Sequence, residues 1–136
     1  MLLSGLVALP DLAPQVSSLE RATVASGAVI ADPTRFDPFD DLTRGVLFTA
    51  FTVPANTDPA TRSVVLFARA ESDTAREVDL FIGVDADGDG RPDPGETVCQ
   101  AVGASASKVC QTAIAPSSAP RTVWVMAQNY SGNGIG

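Results

Sequence analysis

Residues 121–128 read Arg-Thr-Val-Trp-Val-Met-Ala-Gln, and their alternation decides the fold class. Val123, Val125 and Ala127 fall on one face of an extended chain, while Thr122, Trp124 and Met126 fall on the other. The same period of two recurs in Val78-Asp79-Leu80-Phe81-Ile82-Gly83-Val84, where Val78, Leu80 and Ile82 share a face opposite Asp79 and Phe81. Nowhere does an apolar repeat of 3.6 persist for three turns. Residues 11–21 come nearest, and Pro14 interrupts them.

Working outward, short runs rich in β-branched and aromatic residues predict strands at Ala22–Ile30, Gly45–Val53, Ser63–Ala70, Glu77–Val84, Thr97–Val102, Lys108–Ile114 and Arg121–Gln128. Pro, Gly, Asp and Ser clusters separate them. Seven or eight such strands, counting one expected after the glycine-rich Asn129–Gly136, predict an all-β antiparallel sandwich with jelly-roll or Greek-key connections. Ser63–Ala68 is apolar on both faces, which predicts a central strand covered on both sides. Trp124 is expected in the core, with a sugar-stacking platform as the alternative.

The 136 residues suit one domain. Residues 1–20 read as a linker or N-terminal extension and 21–136 as the sandwich domain. Apolar Met1–Pro10 lacks a charged leader, the first basic residue being Arg21, and is shorter than the roughly 20 residues that span a bilayer. A trimmed signal sequence is the other reading of that stretch.

Charge and composition exclude several functions. The net charge is −7, with Lys108 the only lysine and the arginines scattered, so no basic patch exists for nucleic acid. There is no histidine, which removes Ser-His-Asp and Cys-His nucleophile activation and the commonest zinc ligand. Paired carboxylates could still act as in glycosidases, but those sit in aromatic-lined clefts, and one Trp, one Tyr and six Phe make a poor cleft. No catalytic residue is expected.

Cys99 and Cys110 sit in the parallel contexts Thr-Val-Cys-Gln and Lys-Val-Cys-Gln, with Gly103-Ala104-Ser105-Ala106-Ser107 between. They read as facing positions of a hairpin joined by a disulfide, which places the chain outside the cytoplasm; buried free thiols are the alternative.

The chemistry concentrates in Asp85–Glu96, Asp-Ala-Asp-Gly-Asp-Gly-Arg-Pro-Asp-Pro-Gly-Glu. Counted from Asp85, carboxylates fall at positions 1, 3 and 5 (Asp85, Asp87, Asp89), with Gly90 at 6, Arg91 at 7, Asp93 at 9 and Glu96 at 12. This is the ligand spacing of an EF-hand calcium loop. Alternate short carboxylates on a tightly curled backbone converge on one hard cation, Arg91 offers its carbonyl, and Glu96 closes the shell. Calcium suits such a set of flexible oxygens better than magnesium. The flanks depart from an EF-hand. The entering segment is a strand, no exiting helix has room, and Pro92 lacks the N–H through which EF-hands pair. Asp93 is placed to cap a single helical turn. The loop resembles those of thrombospondin type 3 repeats and of extracellular bacterial modules. Smaller acidic features are Asp37, Asp40 and Asp41, read as a surface turn or a second metal site, and Asp79, read as a satisfied polar group or an extra ligand.

Asp79-Leu80-Phe81 together with Val123-Trp124-Val125 and Asn129-Tyr130-Ser131-Gly132 resembles the bacterial pre-peptidase C-terminal domain over about residues 60–134. The first sixty residues match poorly, and Pro120-Arg121 replaces the glycine that precedes the last strand in that family. The resemblance implies a jelly-roll-like, calcium-binding, non-catalytic module appended to a secreted subtilisin-type or metallopeptidase. Such a module would aid stability, secretion or attachment to substrate. A carbohydrate- or surface-binding module of the same architecture, binding an extracellular protein or polysaccharide polymer, is the alternative.

Overall fold

The computed structural model describes residues 24–33 and 37–130, and within them the chain is an antiparallel β-sandwich of six strands. These are β1 (Val46–Val53), β2 (Val64–Glu71), β3 (Val78–Val84), β4 (Thr97–Ala101), β5 (Ser107–Ile114) and β6 (Arg121–Asn129). One sheet has the order β1-β6-β3-β4, and β2 and β5 form the second. Among the described strands only β3 and β4 are both sequential and paired; every other connection between them crosses between the sheets. Strand β6 returns from the second sheet to lie between β1 and β3, a Greek-key-like arrangement.

The period of two expected of residues 121–128 holds in space. Val123, with Leu80 and Ile82, faces the second sheet and packs against Leu66, Ala68, Cys110 and Ile114. The opposite positions, Trp124, Met126 and Phe81, form a second core with Val46 on the outer face. The segment around Phe39 and Leu42 covers it, with Phe39 edge-on to both Phe81 and Trp124. Both faces of the four-stranded sheet are therefore apolar, and Trp124, Leu80, Ile82 and Met126 are fully buried.

Trp124 can lie flat across β3 because its cross-strand partner is Gly83. A Cβ at that position would overlap the indole carbons Cζ2 and Cε2. Glycine in a strand interior marks such a close approach.

Three expectations need correction. Ala22–Ile30 is not a strand where it is described: residues 24–29 have no regular structure, and Ile30 makes an isolated bridge. The segment crosses the end of β6 and does not run along an edge. The Asn129 side chain donates to the Val29 carbonyl (2.9 Å), and the Asp32 N–H donates to the Asn129 carbonyl (2.8 Å). Strand β2 is not central. Its outer face carries Val65 and Phe67, 59 % and 51 % exposed, because it belongs to a two-stranded sheet with no described element over that face.

The third correction concerns the cysteines. Cys99 and Cys110 are bonded, with Cα atoms 6.2 Å apart, but β4 and β5 are not a hairpin. They lie in different sheets, so the disulfide joins the layers through the inner core. Hydrogen bonds explain the corner. Ser105 O accepts from Val78 N (2.9 Å), Ala106 O accepts from Ser72 N (3.0 Å), and Gly103 N donates to Asp79 Oδ1 (3.0 Å). The connection is thus held by β3 and by the end of β2, which leaves β5 no route back along β4. Lys108, nearly buried, completes the corner by donating through Nζ to the carbonyls of Gly103 and Ser105. The expected linker at 1–20 and the strand expected after residue 130 lie outside the described residues.

Two substitutions test this packing. Gly83→Ala is expected to cost about 3 kcal/mol of unfolding free energy in denaturant titration, the upper end for overpacking. A loss below about 0.5 kcal/mol would mean the indole does not lie on β3. Replacing both cysteines by alanine should cost roughly 3 kcal/mol, the chain-entropy value for a loop of this size. An unchanged denaturation midpoint would remove the cross-sheet bond from the stabilising interactions.

Candidate metal centre

Among the described residues the acidic segment is the only connection between two sequential, paired strands, leaving β3 after Val84 and entering β4 at Thr97. Its first residue is tied to the sheet, since the Asp85 N–H donates to the Thr122 carbonyl (3.1 Å). The backbone then curls around its own carboxylates. Asp85 Oδ1 accepts from Gly88 N (2.7 Å) and Oδ2 from Gly90 N (3.0 Å). Asp87 Oδ1 accepts from Asp89 N (3.1 Å), and Asp89 Oδ1 from Arg91 N (2.7 Å). The bonds of Asp87 and Asp89, two residues on, are the Asx turns that aspartate forms readily, and the longer reach of Asp85 to Gly88 and Gly90 closes the curl. Gly90, with φ of 74°, occupies the left-handed region that the sharp turn at position 6 requires.

The result is convergence. One carboxylate oxygen each from Asp85, Asp87 and Asp89 lies within 4.8 Å of the other two, with Asp85 half-buried and the others exposed. Three hard anionic oxygens at that spacing match the chemistry of a divalent cation that prefers oxygen ligands. Among the described residues no other group of three acidic or cysteine side chains meets this criterion.

The remaining residues of the sequence pattern are placed differently. Asp93 caps the single 3-10 turn Pro94–Glu96, its Oδ1 accepting from Gly95 N (3.0 Å), as its position suggests. Arg91 is exposed. Glu96 turns toward the sheet. Its Oε1 accepts from Ala86 N (2.5 Å) and Asp87 N (3.3 Å), and its Oε2 from the buried Trp124 Nε1 (2.9 Å). In this arrangement Glu96 closes the loop by bridging its start to the core, and three aspartates form the cluster. The indole N–H of a buried Trp needs such a partner. Sequence reasoning missed this link, although a tryptophan opposite a strand glycine signals a ring lying across the neighbouring strand.

The two lesser acidic features also have defined roles. Asp37 Oδ1 accepts from Phe39 N (3.0 Å). Asp41 Oδ1 accepts from Thr43 Oγ1 (2.5 Å) and Thr43 N (3.0 Å). The Thr43 hydroxyl, then its N–H, holds the Asp41 carboxyl below the usual value. Asp79 is 5 % exposed, and burial pushes its pKa up against the opposing hydrogen bond from Gly103 N.

The chain matches no protein-family model, no curated protein and no solved structure.

Because burial raises the Asp79 pKa, the native state keeps this proton over a pH interval in which the unfolded chain has already lost it. Stability therefore falls as pH rises through that interval, and the loss persists above it. Asp79→Asn removes the effect. The variant should melt above the parent at about pH 7, and the difference should disappear near pH 3, below the ordinary carboxylate range. A difference independent of pH would show that Asp79 makes no such contribution.

Proposed function

We propose that this chain is a non-catalytic, calcium-binding β-sandwich module of a secreted protein. The observation that carries the reading is the convergence of Asp85, Asp87 and Asp89 on one point, held there by backbone donors of their own loop. Those donors preorient the carboxylates, so binding has little side-chain entropy left to overcome. When bound, calcium would neutralise three neighbouring anions that otherwise repel one another.

The cross-sheet disulfide supports an oxidising compartment, and the absence of histidine supports a role without nucleophilic catalysis. The resemblance of Asp79–Phe81 and of Val123–Val125 to the pre-peptidase C-terminal pattern supports attachment to a secreted peptidase. There the module would stabilise the parent, assist its export or hold it to an extracellular polymer.

Calcium is expected to order the loop without creating the fold. With a Kd of about 0.1 mM, in the range of extracellular modules, and about 1 mM calcium, linkage contributes only about 1.4 kcal/mol. Calorimetric titration of EDTA-stripped protein should therefore give one calcium site per chain and a melting temperature a few degrees higher in calcium than in EDTA. Asp87→Asn combined with Asp89→Asn should abolish both effects, and magnesium should bind more weakly. No heat and no melting shift with calcium would overturn the reading.

A further inference from the structure

On the outer face of the four-stranded sheet, a groove of about 360 Å³ opens between the Phe39 segment and β4, with Pro94 of the acidic loop in its lining. Asp79 lies in its lining with Phe39, Phe81, Gln100, Val102 and Tyr130. The lining also includes Asp37 and, among the described residues, holds no basic side chain.

Asp79 is the unusual member. It is 5 % exposed, and its sole hydrogen bond engages Oδ1, from Gly103 N. Its Oδ2 accepts nothing among the described residues, and it has no ion pair there. Lys108, the nearest cation by sequence and fold, spends its ammonium on the Gly103 and Ser105 carbonyls. Oδ2 is not among the fully buried unpartnered oxygens, so it is open to the groove, and Lys108 attracts the carboxylate without forming an ion pair with it. The ligand that gains most there is one that brings a positive charge with hydrogen-bond donors.

The surroundings narrow the class. Strand β4 pairs with β3 on one side, and its other edge carries no strand and no backbone hydrogen bond among the described residues. Beside the groove that edge presents Val98, 40 % exposed, and Val102, 56 % exposed, on either side of Gln100. An unpaired strand edge is a template for an extended polypeptide, whose backbone supplies affinity and whose alternate side chains enter pockets. We propose that this edge binds an extended segment of a partner polypeptide, with an arginine side chain entering the groove to meet Asp79 and apolar side chains covering Val98 and Val102. Arginine suits the site because its guanidinium is weakly hydrated, lies against apolar walls and offers several fixed donors. The protein's net charge of −7 favours approach of such a basic segment.

The probe is acetyl-Val-Val-Arg-Val-Val-amide, followed by amide-resolved NMR titration of the whole chain. A matched peptide carries citrulline, the neutral isostere, in place of arginine. The expected result is saturable shifts at Val98–Val102 and at Asp79, with at least about ten-fold weaker binding of the citrulline peptide, as loss of a charge-assisted bond requires. Asp79→Asn, which still accepts from Gly103 N, should weaken the arginine peptide to a similar degree. Gln100→Arg, at an exposed position that tolerates change, should abolish binding by placing a like charge in the groove. Equal affinity for the two peptides, or unaltered affinity in both variants, overturns the proposal. So does a response of the same amides to cellohexaose but not to the arginine peptide.

Discussion

Trp124 is the side chain on which the architecture depends. It lies fully buried on the outer face of β6, flat across Gly83 of β3, and Phe39 closes over it edge-on. Its single polar atom leaves the apolar surroundings only through Glu96, the last residue of the acidic loop. One ring thus connects the central strand pair, the covering segment and the connection between β3 and β4. Removing the strand glycine, the covering phenylalanine or the glutamate would each leave part of this ring either overlapped, unpacked or unsatisfied.

The second organising element lies on the other face of the same strands. Leu80, Ile82 and Val123 meet Leu66, Ala68 and Ile114 across the sandwich, and the disulfide crosses at Cys110. A two-stranded sheet is marginal by itself, and here it has no described layer beyond it. Its stability comes from packing onto β3 and β4, from the covalent bond to β4 and from the corner pinned by Lys108. The four-stranded sheet is the rigid body, and the acidic loop and the groove both sit at its β3–β4 side.

The strands were legible because burial on one face imposes a period of two, and Val78–Val84 and Arg121–Asn129 carry it clearly. What periodicity reports is the face of a residue, not the sheet it joins. Lys108, Cys110 and Ile114 alternate inward whether β5 continues a hairpin with β4 or crosses to the other layer, so the hairpin reading could not be distinguished from the cross-sheet one. The same limit explains β2: an apolar outer face fits a covered strand and an uncovered one alike. Ala22–Ile30 has strand-like composition, but where it is described residues 24–29 form no strand, and the Val29 carbonyl accepts from Asn129 at the end of β6. At the candidate site, spacing located Asp85, Asp87 and Asp89 because their geometry is local. Glu96 fits position 12 of that spacing, whereas its bond to Trp124, 28 residues further on, leaves no trace in the local spacing. The open oxygen of Asp79 was hidden for the same reason, since its surroundings come from four separate segments.

The pairing of β1 with β6 has a consequence for how the chain is made. Val46 lies opposite Gln128, and Val53 opposite Arg121, so the first strand waits for the last. During synthesis at roughly 5–20 residues per second, β1 emerges several seconds before any residue of its partner exists. Strand β3 waits as well, since β6 fills the place between it and β1. Contacts this distant in sequence must overcome a large loop-closure entropy before they stabilise anything, which makes folding slow. The nascent chain therefore carries unpaired edges and uncovered apolar faces until β6 has been made, and the four-stranded sheet assembles only after that strand is available.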